Sequence, residues 1–131
     1  MYHVVVALDE DADRARRQSR AVADLPQAAR EVRATLLHVF TDGEGASATE
    51  VGAVRRASDV LNNAGVDVEV IERSGEPAAT VLDVADRVDA DCICVGGRRR
   101  SPAGKAIFGS VSQSVILQAD RPVLVTGGFE E

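Results

Sequence analysis

Residues 91–110 read Asp-Cys-Ile-Cys-Val-Gly-Gly-Arg-Arg-Arg-Ser-Pro-Ala-Gly-Lys-Ala-Ile-Phe-Gly-Ser. A short apolar run comes first, a segment rich in glycine and arginine follows, and a helix-compatible stretch starts at Ser110. An apolar run of this length next to glycines predicts a buried strand, and the stretch from Ser110 to Gln118 predicts a helix. Strand, loop and helix in this order form the repeating unit of a parallel sheet.

The rest of the chain repeats this unit. Strands are predicted at residues 4–8, 35–40, 66–71, 91–95 and 122–126, and helices at residues 11–30, 49–64, 77–88 and 110–118. Pro26 predicts a kink or an early stop in the first helix, and Gly65 is a suitable C′ cap for the second. The third strand alternates apolar and acidic residues, as an edge strand does. We predict an α/β fold: a single doubly wound domain, with a five-stranded parallel sheet flanked by four helices and right-handed crossovers.

Composition narrows the class of protein. A chain of 131 residues fits one domain, and 21 acidic against 15 basic residues give a net charge of −6. An acidic chain disfavours nonspecific binding to nucleic acid and to anionic lipid. No apolar run approaches the roughly 20 residues of a membrane span, and the N-terminus has no signal-peptide features. We therefore expect a cytoplasmic protein with neither nucleic-acid nor membrane partners.

Cysteine and histidine offer little chemistry. Alternation along the fourth strand places Cys92 and Cys94 on one face, where neighbours along a strand rarely form a disulfide. We expect two buried thiols that act as small hydrophobes in a reducing compartment. The chain has two histidines, His3 and His38, and both lie in apolar strands. No nucleophile and base form a convincing pair, so the sequence predicts neither a metal site nor a catalytic residue.

The glycine-rich loop is the segment that suggests a ligand. Three arginines and Lys105 make it basic in an acidic chain, and Gly109 and Ser110 begin a helix whose free N–H groups and dipole attract phosphate. In doubly wound sheets, ligands bind beyond the carboxyl ends of the strands. Two interpretations remain open from the residues alone: a phosphate-binding loop, or a basic surface loop before an ordinary helix. A Walker A motif is absent, because Gly104-Lys105 is followed by Ala106.

A family resemblance adds to these observations. Gly96-Gly97-Arg98-Arg99, nine residues and then Gly109-Ser110 resemble the signature G-x2-G-x9-G-[ST] of universal stress proteins. Residues 4–9, 36–39, 111–115 and 120–125 resemble other segments of the same family, so the resemblance extends over essentially the whole chain, 1–131. It implies a Rossmann-like fold of the adenine nucleotide alpha hydrolase-like type, in a stress-response or signalling module without strong catalysis.

The resemblance also implies a ligand, a site and an assembly. The ligand would be ATP, with or without Mg²⁺, and the implied nucleotide-binding residues are Ala7, Leu8, Asp9, Val39, Val95, Gly96, Arg99, Gly109, Ser110 and Val111. By this resemblance the end of the second strand lies near the adenine, and the glycine loop holds the ribose and the phosphates. Many members form dimers through the last strand, which implies a homodimer through the strand that begins at Pro122 and ends at Thr126.

One residue departs from the signature. Arg99 stands where the family has its second glycine. Its guanidinium either obstructs the pocket or pairs with a phosphate directly. The first outcome implies a different function: a nucleotide-independent dimeric stress protein that acts through protein contacts, as a chaperone-like or regulatory module.

Overall fold

The computed structural model describes residues 1–40, 52–97 and 109–127. The strands are β1 (Tyr2–Leu8), β2 (Val32–Phe40), β3 (Asp67–Ser74), β4 (Cys92–Gly96) and β5 (Val123–Thr126). The helices are α1 (Ala12–Ala23), α2 (Ala28–Glu31), α3 (Gly52–Asn63), α4 (Pro77–Arg87) and α5 (Ser110–Gln118). The predicted loop at residues 98–108 and the first residues of the predicted second helix lie outside the described residues.

The five strands form one parallel sheet in the order β3-β2-β1-β4-β5. This confirms the α/β prediction and adds the strand order. The chain moves outward from β1 to β2 and β3, then crosses to the other side of β1 to form β4 and β5. The order therefore reverses at β1, and the gap between β1 and β4 is the topological switch point of the sheet.

The register of the central strands opens this gap. β1 pairs with β2 along its whole length, from Tyr2 with Val32 to Leu8 with His38. Its pairing with β4 ends at Val6 and Cys94, before either strand ends. The carboxyl ends of β1 and β4 therefore separate, which leaves room for other groups between them.

Helices cover both faces of the sheet, and one apolar cluster fills each interface. The cluster under α1 and α3 includes Val4, Val6, Leu36 and Leu61, and the cluster under α4 and α5 includes Val5, Leu37, Ile93 and Val115. All five residues of β4 are buried. A strand that is covered on both faces needs a continuous apolar run, and this is the pattern that predicted it.

Local signals explain most of the element boundaries. α1 ends at Ala23, ahead of Pro26, and the short helix α2 follows, so the early stop is confirmed and the described chain has five helices where four were predicted. Gly65 has a φ of +79°, and the N–H of Val66 donates to the carbonyl of Leu61 at 3.0 Å, a helix end that glycine favours. β3 lies at the edge of the sheet, as its alternation predicted.

The cysteines match their interpretation as core residues. Cys92 and Cys94 are free and buried, and both belong to the cluster under α1 and α3. Burial raises the pKa of Cys94 to about 12, so its thiol stays protonated at neutral pH. In the described ranges, no helix is long and apolar enough to cross a membrane.

Candidate functional site

A cavity of about 420 Å³ opens beyond the carboxyl ends of β1, β2 and β4. The starts of α1, α4 and α5 complete its walls. Its size falls within the range of roughly 300–1,000 Å³ that is usual for small-molecule sites, and its position at the switch point is where doubly wound sheets bind ligands.

Nine of the ten residues that the sequence assigned to a site line this one cavity. They are Ala7, Leu8, Asp9, Val39, Val95, Gly96, Gly109, Ser110 and Val111. The tenth, Arg99, lies outside the described residues. The structure therefore brings together residues that are up to 104 positions apart in the chain, from Ala7 to Val111, although their role in binding remains a prediction.

The cavity also contains residues that the sequence analysis missed. They are Glu10, Asp11, Arg14, Gln18, Leu37, Pro77, Val81 and Ser112, and they are joined by His38, which stands at a strand end beside the predicted Val39. One of them carries a recognisable signal, because Gln18 follows Ala15 by three residues and precedes Val22 by four. Ala15, Gln18 and Val22 are all buried on the same face of α1. A polar residue within an apolar helical stripe indicates a specific hydrogen-bonding role.

The first turn of α5 contributes its main-chain N–H groups to the lining of the cavity. Gly109 is its N-cap and supplies no side-chain hydrogen bond, and the first bond within the helix runs from the N–H of Gln113 to the carbonyl of Gly109 at 3.0 Å. The N–H groups of Ser110, Val111 and Ser112 precede that bond, so they have no acceptor within the helix. Together with the positive end of the helix dipole, they form an anion-attracting terminus.

The other helix starts near the cavity are capped by carboxylates. Asp11 accepts a hydrogen bond from the N–H of Arg14 at the start of α1, and Glu76 accepts from Ala78 and Ala79 at the start of α4. In contrast, the hydroxyl of Ser112 in α5 donates to the carbonyl of Gly96 at 3.0 Å. This bond ties the first turn of α5 to the end of β4.

Gln18 bridges the two strands where they separate. Its Nε2 donates to the carbonyl of Ala7 at 2.9 Å and to the carbonyl of Cys94 at 3.4 Å. The residue is only 1% exposed. A buried carbonyl beyond the end of a ladder needs another donor, and the amide of Gln18 supplies one to Ala7, with a longer bond to Cys94 at the last paired position. Gln18 thereby links β1 and β4 at the point where the cavity begins.

Arg14 brings positive charge to a wall that is otherwise acidic. Its Nη1 pairs with Oδ2 of Asp9, and its Nη2 lies 3.4 Å from Oδ2 of Asp11. The hydrogen bond from the N–H of Arg14, together with the nearby guanidinium charge, lowers the pKa of Asp11. Glu10 adds a third carboxylate, and Arg14 is the cation among the described residues of this lining.

His38 is a buried imidazole at the same edge. It is 3% exposed, and its Nδ1 has no hydrogen-bond partner within residues 1–40, 52–97 and 109–127. Its ring meets that of Phe40 edge-on, with centroids 4.5 Å apart. In the same ranges no group of three or more His, Cys, Asp or Glu residues is arranged to hold a metal ion.

Comparison with protein families gives a match over nearly the whole chain. The model of the universal stress protein family matches residues 1–127. A universal stress protein of Mycolicibacterium smegmatis is 33% identical over 94 residues, which cover 71% of this chain and 70% of that protein. Stress response protein NhaX of Bacillus subtilis is 35% identical over 72 residues, or 55% of this chain. That match spans only 43% of NhaX.

Solved structures of the same family share the fold. A universal stress protein from Archaeoglobus fulgidus superposes with a TM-score of 0.72 at 33% identity, covering 96% of this chain and 98% of that one. Another from the same organism was solved in complex with dAMP, with a TM-score of 0.73, 29% identity, and 96% and 98% coverage. A universal stress protein in complex with cAMP has a TM-score of 0.73 at 27% identity, covering 95% of each chain.

Proposed function

Because the chain belongs to the universal stress protein family, we propose that it binds an adenine nucleotide in the cavity between β1, β2 and β4. Relatives at 27% and 29% identity were solved with cAMP and dAMP, which share an adenine, a sugar and a phosphate. One observation in this chain supports the proposal most strongly: the first turn of α5, which has no side-chain cap within the described residues, lines the cavity. A phosphate bound there would accept hydrogen bonds from its main-chain N–H groups.

The cavity also has a surface that suits a base. Leu37 and Val39 of β2, together with Val81 of α4, supply apolar side chains to the lining. A flat, apolar base gains stability from such side chains, and the backbone at the end of β2 can fix its edge. We place the adenine on these side chains and the phosphate at α5.

ATP is the nucleotide that we propose, bound without strong catalysis. Ser110 and Ser112 supply the hydroxyl groups of the described lining, and the hydroxyl of Ser112 donates to the carbonyl of Gly96. Within the described residues, neither hydroxyl is hydrogen-bonded to His38, the contact that would make it a nucleophile. Mg²⁺ would enter with the phosphates rather than through a preformed carboxylate set. We also propose a homodimer that forms through β5 and a cytoplasmic location.

The decisive experiment introduces a charge at the α5 terminus. Ser110→Asp places a carboxylate at the proposed phosphate position, while acidic residues in a first turn favour the helix itself. We expect calorimetric affinity for AMP and ATP to fall at least about tenfold, which corresponds to about 1.4 kcal/mol, with no loss in melting temperature. Gln113→Asp is the matched control, because it adds the same charge on an exposed position of α5 outside the cavity.

Two results would contradict the proposal. One is the absence of any thermal shift for the wild-type protein at millimolar AMP or ATP, since a ligand of the native state raises the melting temperature by mass action. The other is equal affinity in Ser110→Asp and Gln113→Asp, which would place the phosphate away from α5. Native mass spectrometry of freshly purified protein adds a direct count of bound nucleotide and of subunits.

A nucleotide-independent role is the second candidate, and one observation favours it. The side chain of Arg14 pairs with Asp9 and covers Gly96, so part of the proposed site is already occupied by the protein itself. Purified protein without nucleotide, together with no thermal shift, would support this role. Arg99→Gly separates the two outcomes at the signature position: affinity rises if the arginine obstructs the ligand and falls if it holds phosphate.

A further inference from the structure

Arg14 has an unusual position for a surface-helix arginine. Its side chain is 17% exposed and lies within the cavity rather than in solvent. The described lining around it holds the carboxylates of Asp9, Glu10 and Asp11. A phosphate that enters this cavity meets three negative charges on one wall, and Arg14 is the cation of the described lining that can offset them.

The guanidinium is held in place, but its donors are not all used. Nη1 pairs with Asp9, whereas Nη2 is 3.4 Å from Asp11, a long distance for a charged hydrogen bond. Its Nε is buried and has no hydrogen-bond partner in the described part of the chain. A guanidinium carries five N–H donors in a fork that matches phosphate, so a phosphate within reach could accept from donors that the two carboxylates leave unused.

Gly96 brings this cation close to the α5 terminus. Cγ and Cδ of Arg14 lie against the α-carbon of Gly96, where any side chain would collide with them. The carbonyl of the same glycine accepts the hydrogen bond from Ser112 in the first turn of α5. The stem of Arg14 and the start of α5 therefore contact one residue, and rotation about the stem moves the guanidinium without moving the helix.

We propose that Arg14 makes the cavity selective for phosphorylated nucleosides over free nucleosides. In the structure its Nη1 pairs with Asp9, and its Nη2 lies 3.4 Å from Asp11. When a nucleotide binds, the guanidinium turns to the phosphate at α5, and the carboxylate of Asp9 becomes available to a hydroxyl or amino donor of the same ligand. This inference rests on the proposed nucleotide binding, and it assigns the recognition of the ligand's phosphate charge to Arg14.

The test compares AMP with adenosine by calorimetry. Arg14→Met keeps an apolar stem over Gly96 and removes the guanidinium, and Arg14→Gln removes the same charge with a shorter, polar side chain. We expect AMP affinity to fall about 10- to 100-fold in both variants, as for a lost hydrogen bond to a charged group, while adenosine affinity stays within about threefold of wild type. Arg16→Gln is the matched control, because Arg16 is exposed on the same helix; its ratio of AMP to adenosine affinity should match wild type.

Titrations at different salt concentrations distinguish a direct contact between Arg14 and the phosphate from a long-range electrostatic effect. Added salt screens interactions between separated charges far more than a contact in a partly buried site. The expected loss of AMP affinity therefore persists when the titrations are repeated at high salt. Recovery of the wild-type ratio at high salt would overturn the contact.

The remaining outcomes are also distinct. If wild-type protein binds AMP and both Arg14 variants keep its preference over adenosine, the selectivity proposal is wrong and the proposed nucleotide binding stands. If wild-type protein binds neither compound, both proposals are wrong. Thermal unfolding of each variant checks that it is folded, and if Arg14→Met does not fold, Arg14→Gln provides the comparison.

Discussion

The side chain of Arg14 lies across Gly96, and the two residues fit only because position 96 has no side chain. A Cβ atom at this position would lie 2.5 Å from both Cγ and Cδ of Arg14 and 3.1 Å from Oε1 of Gln18. These separations are shorter than ordinary van der Waals contact between carbon atoms. The glycine at position 96 therefore has a structural role, because it leaves room for the side chain of Arg14 in α1 to reach the carboxylate of Asp9.

This contact predicts the result of a double-mutant cycle. Gly96→Ala should lower the free energy of unfolding by about 1–3 kcal/mol, the usual cost of overpacking, as measured by urea denaturation. In an Arg14→Ala background the cost should be smaller, because the crowded stem is gone. Gly52→Ala is the control, since a Cβ at Gly52 in α3 meets nothing within 4 Å. Equal costs of Gly96→Ala in both backgrounds would contradict the contact.

Arg121 is predicted to matter far more for stability than a neighbouring arginine. Its Nη1 donates to the carbonyls of Ala90 at 2.6 Å and Ala85 at 3.2 Å, and its Nη2 donates to Asp86 at 2.7 Å, so it joins the end of α4 to the start of β5. Arg121→Met should cost about 1.5–3 kcal/mol of unfolding free energy, because carbonyls at a helix end lose a charged donor.

Arg87→Met provides the comparison on the same helix. Arg87 also forms an ion pair, with Asp83 at 2.9 Å, but its side chain is 71% exposed. An exposed pair of this kind contributes about 0–1 kcal/mol, and this one spans a single helical turn. Urea denaturation should separate the two variants clearly, and equal costs would show that Arg121 acts only as another surface charge.

The sequence determined the fold well because the buried strands are strongly patterned. The apolar runs of β1 and β4 predicted strands that are covered on both faces, and both are buried at the centre of the sheet. Pro26 and Gly65 predicted helix ends through local backbone chemistry. The strand order could not be predicted, because each apolar run fits any interior position equally well. The short helix α2 was missed because its four residues carry too little periodicity to distinguish it from the preceding helix.

The candidate site was predicted only in part, because its residues differ in how much of their role a local sequence pattern shows. Residues at strand ends and at the start of α5 were found because a motif and a family resemblance point to them. Arg14 and Gln18 were missed because their role depends on where α1 lies against the split between β1 and β4, which no local pattern encodes. Gln18 did leave a signal, as a polar residue in a buried helical stripe. Arg14 left none, since arginines are ordinary in an exposed first turn.

The stability of the protein should fall below neutral pH in part through His3. Burial, then the charge of Arg33, lowers the pKa of this residue, and these effects outweigh the opposing carboxylates of Glu69, Asp91 and Asp67. The unfolded chain therefore binds a proton near pH 6.5 more readily than the folded chain does. The contribution of His3 is present above about pH 6.5 and is lost as the pH falls through its lower folded pKa.

His3→Gln tests this linkage. Glutamine does not titrate, and its amide can still approach Thr35, whose Oγ1 lies 2.6 Å from Nε2 of His3. The difference in unfolding free energy between wild type and variant should narrow as the pH falls from 7.5 to 5, because only the wild type loses the His3 contribution. Carboxylates that do not interact with His3 are common to both proteins and cancel in the difference. A difference that stays constant across this range would contradict the assignment.

The proposed homodimer makes a prediction about the two edges of the sheet. β5 is a short edge strand, Val-Leu-Val-Thr, in which three of the four residues are apolar, and Val125 on it is 38% exposed. The opposite edge, β3, carries charged residues at Asp67, Glu69 and Glu72, which discourage pairing with another chain. Pairing of two copies is therefore expected at β5, where it would cover exposed apolar area.

Val125→Lys should convert the dimer to a monomer, because a charge buried in an apolar interface loses its hydration without gaining a partner. Ser74→Lys places the same charge on an exposed position of β3 and should leave the dimer intact. Native mass spectrometry and sedimentation give the subunit count of each variant at matched concentration. If Ser74→Lys dissociates the protein and Val125→Lys does not, the interface lies at the β3 edge. If wild type is monomeric throughout, the proposed dimer is wrong, while nucleotide binding, whose described cavity lines the β1–β4 gap within one chain, is unaffected.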